Sequence, residues 1–79
     1  MHQTQSPLSL DEHRELAGEL QAANARMREL CNVVAGTYGA DSRATFTFLR
    51  AAEWIDCVRR EMQQQAERDL PGLVGRLYL

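Results

Sequence analysis

The chain has 79 residues, with nine basic and eleven acidic side chains and a formal net charge of −2. That length allows one domain, and the near-neutral, mixed charge argues against a general affinity for phosphate backbones, which needs clustered positive charge. Every basic residue is an arginine and none is a lysine, a composition that fits a GC-rich bacterial genome.

In chain order, residues 1–8 are polar, contain Pro7 and read as a disordered lead-in. They carry no basic stretch followed by an apolar run, so they are not a signal peptide. No segment has the ~20 apolar residues of a membrane span. The expectation is a cytoplasmic protein with reduced thiols and no membrane partner.

Ser9-Leu10-Asp11-Glu12 has the Ser-x-x-Glu form of a capping box. Asp11, Glu12 and Glu15 then put negative charge on the first turns, where the helix dipole favours it. An apolar repeat follows through Leu16, Leu20, Ala23, Met27, Leu30 and Val34, at alternating spacings of four and three. It predicts a helix over about 9–36 with a narrow seam, stopping near Gly36. Residues 36–40 form the turn, and Asp41 or Ser42 caps a second helix over about 42–70. Its seam reads Ala44, Phe48, Ala51, Ile55, Val58 and Met62, then Gln65 and Asp69. Leu70-Pro71-Gly72 ends it.

The two seams match when the chain is folded about Gly39. Val34 then lies level with Ala44, Leu30 with Phe48, Ala23 with Ile55 and Leu16 with Met62, all pairs whose numbers add to 78. His13 with Gln65 and Ser9 with Asp69 continue the series into a polar open end. The predicted fold is therefore an all-α antiparallel two-helix hairpin. A lone hairpin of this size has one seam to bury and no disulfide framework or metal motif to staple it. Assembly into a homodimeric four-helix bundle is the expected remedy.

Apolar residues off the seam are the candidate interface. Phe46, Leu49, Trp54 and Cys57 lie beside the helix 2 seam, Cys31 beside that of helix 1, and Tyr38 at the hairpin tip. In this register Cys31 is level with residue 47 and Cys57 with residue 21. The offset of about ten residues, ~15 Å along the axis, excludes an intramolecular disulfide. The tail, residues 71–79, is unusually apolar for a chain end. Leu73, Val74, Leu77, Tyr78 and Leu79 are expected to dock, either in a groove near the open end or on a partner protein.

Catalytic chemistry finds no footing. His13 is flanked by Asp11, Glu12 and Glu15, but no His follows a Glu by three, and His2 lies in the lead-in. His13 is expected to sit at the water-tolerant end of the seam. There is no nucleophile elbow, and Gly36-x-x-Gly39 lacks the length and lysine of a phosphate loop. No catalytic, cofactor-binding or metal-ligating residue is assigned. The arginines are diluted by acids, with Asp56 placed to pair with Arg60 and Arg26 with Glu29. The expected function is a small non-catalytic interaction or adaptor protein acting as a homo-oligomer. The alternative is a nucleic-acid-binding regulator on the same dimeric bundle.

Overall fold

The computed structural model describes residues 6–79; residues 1–5, which hold His2 and most of the expected lead-in, lie outside it. The described residues form two helices, α1 (Leu10–Tyr38) and α2 (Arg43–Asp69), packed against each other as an antiparallel hairpin with no strand. At ~1.5 Å per residue each helix is about 40 Å long. No helix is long and apolar enough to cross a membrane.

The start of α1 follows from its capping box. The Ser9 hydroxyl accepts from the Glu12 backbone N–H at 3.1 Å, and the Glu12 carboxylate accepts from the Ser9 N–H at 2.8 Å. The helix does not stop at Gly36. It runs two residues further, to Tyr38, and Gly39 supplies the turn with φ of +100°. A single glycine costs a helix only ~1 kcal/mol, so the chain breaks where a positive φ is required. Ser42 is the cap of α2: its hydroxyl accepts from the Thr45 N–H at 3.1 Å. The Thr45 hydroxyl closes the turn by donating to the Gly39 carbonyl at 2.8 Å.

The register is the one the repeats predict. Asn24 donates to the Ala52 carbonyl at 3.3 Å and to Asp56 at 3.1 Å, so residue 24 lies level with residue 54. The rotation of the helices differs. The strip where they touch carries Ala17 and Asn24 of α1 and Thr45, Ala52 and Ala66 of α2, all buried. The expected seam is turned about one position to the side. Ala23 and Ala44 are exposed, Val58 is 44% exposed, and Leu16, Met27, Leu30, Val34 and Met62 are only half-buried. Small residues win the contact because they let two long helices approach closely along their whole length.

The hairpin therefore has two unlike faces. One carries the Arg28–Asp56 ion pair at 2.7 Å, Gln63 and the C-terminal tail. At ~100° per residue, Leu16, Met27, Leu30, Ile55, Val58 and Met62 fall on the opposite side of the strip. They form a continuous half-exposed apolar face. Replacing Ala52, which is fully buried, with leucine is expected to cost about 1–3 kcal/mol by overpacking. The same change at exposed Ala22 is expected to stay within ~0.5 kcal/mol in urea unfolding.

Candidate functional site: a buried tyrosine–histidine–aspartate relay and an open apolar face

The tail folds back on the open end of its own hairpin. Glycines with positive φ at positions 72 (+78°) and 75 (+53°) turn it, and space around both is open. Val74 and Tyr78 are buried against Ala17 and Ala66, with Leu10, Leu16, Leu20, Met62, Leu70 and Leu77 packed around them. Leu73 and Leu79 point to solvent. So of the five tail residues expected at an interface, two are occupied within the chain and one, Leu77, is half-covered.

Polar contacts fix the docking. The buried Gln63 amide spans the tail backbone. Its Nε2 donates to the Gly75 carbonyl and its Oε1 accepts from the Tyr78 N–H at 2.8 Å. Arg59 Nε donates to the Tyr78 carbonyl at 3.0 Å. The Tyr78 hydroxyl meets His13 Nδ1 at 2.7 Å, and His13 Nε2 meets Asp69 at 3.3 Å. An ionised Asp69 only accepts, so in the neutral ring Nε2–H donates to it and Nδ1 accepts from Tyr78. The two rings meet edge-on, centroids 5.8 Å apart.

His13 is thus not a water-tolerant end of the seam. It is fully buried, and Asp69 rather than Gln65 is its partner across the hairpin. Tyr78, covering it, excludes water from the open end. Asp11, Glu12 and Glu15 are exposed and take no part. Among the described residues no three His, Cys, Asp or Glu side chains converge. The Tyr78–His13–Asp69 chain is a hydrogen-bonded relay closed to any substrate, and its effect is to lock the tail.

Burial first, and the Asp69 carboxylate second, push the Tyr78 phenol above its ordinary 10.0.

A second network, missed in the sequence, ties the middle of the hairpin. Asp56 accepts from Arg28 across the strip at 2.7 Å and from Arg59 at 3.5 Å. It does not pair with Arg60, whose guanidinium lies 3.1 Å from the Cys57 sulfur. Arg26 does pair with Glu29, at 3.1 Å. With Arg14 on Asp11 as well, four of the nine arginines are engaged by carboxylates, which weakens the case for a phosphate-binding face.

The remaining candidate residues are open. Tyr38 is 70%, Phe46 55%, Leu49 41% and Trp54 66% exposed. Cys31 and Cys57 are free and half-buried. Cys31 donates to the Thr45 carbonyl at 3.7 Å, while Cys57 lines a shallow surface notch with Arg50, Glu53 and Trp54. The Arg50 guanidinium stacks 5.6 Å from the Phe46 ring centroid. Comparison with protein-family models, curated proteins and solved structures finds no match to this chain.

Two outcomes are expected. Tyr78→Phe strands the buried His13 nitrogen and is expected to lower unfolding free energy by about 1–3 kcal/mol, read by urea denaturation. A phenol raised in the folded state contributes stability that is complete below its unfolded value and lost as pH rises through its folded one. Stability of the native protein is therefore expected to fall above about pH 10, and the Tyr78→Phe variant is expected to lose that part of the slope.

Proposed function

We propose that the protein is a non-catalytic interaction module that works as a homodimeric four-helix bundle and presents its remaining exposed aromatic and apolar groups to another macromolecule. The observation that carries this reading is the half-exposed apolar face opposite the tail. It holds most of the large aliphatic side chains of both helices, and among the described residues only its open end, at Leu16 and Met62, packs against the cluster that holds the tail. The buried core of the hairpin is small by comparison: Ala17, Ala52, Ala66, Val74 and Tyr78 are its apolar members.

The area fits the role. Two helices about 40 Å long, set ~8–10 Å apart, present roughly 800 Å² on one face, the per-partner area of a standard stable interface. Stacking two such faces gives the near-parallel packing of a four-helix bundle. Val58, 44% exposed, lies on the face and gains cover in such a dimer. Tyr38 and Phe46 at the tip, with Leu73 and Leu79 on the tail, remain available to a further partner.

Light scattering on a size-exclusion column is expected to give twice the 9.0 kDa chain mass. Val58→Asp, a charge placed on the face at a position already 44% exposed, is expected to give a helical monomer. A native protein that stays monomeric at high concentration would overturn the reading.

A further inference from the structure

The relay at the open end is complete only while its middle member is neutral. His13 is fully buried, and each ring nitrogen has one partner. The neutral ring donates from Nε2 to Asp69 and accepts at Nδ1 from the Tyr78 hydroxyl. A proton added to the ring makes both nitrogens donors. The Nδ1–H and the phenolic O–H then compete for one contact of 2.7 Å. The hydroxyl yields only by turning its hydrogen away, and among the described residues it has no second acceptor. A buried donor is left unpaired whichever group gives way.

The charged groups around the ring come from three elements. On α2, Asp69 faces Nε2 and favours an imidazolium, but its pull is limited. The contact is 3.3 Å, longer than a close charge-assisted bond, the side chain is 12% exposed, and Gln65 already donates to its other oxygen at 2.8 Å. Arg59, also of α2, binds the Tyr78 carbonyl and adds a like charge on that side. On the tail, Tyr78 faces Nδ1, and Arg76 is exposed. On α1, Asp11, Glu12, Arg14 and Glu15 are all exposed; Arg14 pairs with Asp11, and Glu12 caps the Ser9 N–H.

We propose that His13 makes the tail an acid-released latch: protonation of its ring frees residues 72–79, exposing Val74 and Tyr78 and uncovering their seat on Ala17 and Ala66. The latch lies at the open end and does not rest on the dimer reading. Gly72 and Gly75, with positive φ and open space around them, are its hinge. Once the tail lifts, an imidazolium is solvated and no hydroxyl opposes it. The released state therefore takes the proton in preference to the docked one. Docking is then strongest with the ring neutral and is lost as pH falls. The released segment joins Val74 and Tyr78 to Leu73 and Leu79, already exposed, as apolar anchors for a partner protein.

Amide hydrogen exchange in the native full chain reads the latch. It is followed by NMR at about pH 7.5 and about pH 5, the span over which an imidazole changes charge, and corrected for intrinsic rates. The Tyr78 N–H, which donates to Gln63, is expected to lose about tenfold in protection at the lower pH. The Ala52 amide, in the middle of the hairpin, is expected to stay within about twofold. His13→Gln retains an acceptor for the phenol and a donor for Asp69 but takes up no proton, so its Tyr78 protection is expected to stay within about twofold across the range. In the native chain the His13 ring nitrogen shifts are expected to titrate in step with the loss of protection.

Constant or rising Tyr78 protection on acidification would overturn the latch, and so would an equal loss in His13→Gln. Should that variant not fold, the native titration decides alone. A ring that gains its proton while Tyr78 stays protected overturns the latch, and coincident midpoints support it.

Discussion

Two helices side by side can bury only the strip along which they touch, and every other feature of this molecule answers to that limit. In this chain the strip is lined by Ala17, Asn24, Thr45, Ala52 and Ala66. Such side chains allow a close, even contact over about 40 Å, but they remove little apolar area from water. Close approach and a large hydrophobic payoff are in competition at one seam. The chain takes close approach within the hairpin, and the long aliphatic side chains are displaced to its flank.

At the open end the tail resolves the same conflict locally. Val74 and Tyr78 add the bulk that the alanines opposite them lack. The cost is a set of buried polar groups, and each is matched. Gln63 serves one tail carbonyl and one tail N–H, and His13 is held between Tyr78 and Asp69. Among the described residues no buried side-chain nitrogen or oxygen is left without a partner. A half-satisfied network there would be worse than a dry apolar cap. This completeness makes the tail part of the fold, not an appendage.

The hairpin, its register and the first N-cap were legible in the sequence, and the second was narrowed to Asp41 or Ser42, because each rests on short-range rules: a hydroxyl three residues before an amide, and a repeat alternating four and three. The Tyr78–His13–Asp69 relay was not legible, because it joins positions 65 and 56 residues apart and depends on a tail that obeys no repeat. Its one trace was the odd apolar character of residues 72–79, enough to expect docking but not to say where. Asp56 was assigned to Arg60 by helical spacing; Arg28, across the strip, took it instead, because the rotation of α1 brings that guanidinium to 2.7 Å.

That rotation has the widest consequence. The strongest apolar repeat in the sequence does not mark the contact between α1 and α2; the weaker stripe beside it does, built of alanine, asparagine and threonine. A repeat of large aliphatic side chains reports where the most area is to be removed from water, whichever surface does the removing. Within one hairpin that surface is absent. The register survives the one-position rotation because a turn of each helix about its own axis leaves every residue at the same height. Hence a level pair such as Ala23 and Ile55 retains its meaning although neither residue sits at the centre of the intrachain contact. A repeat too apolar for the contact it appears to describe is therefore evidence about a second contact.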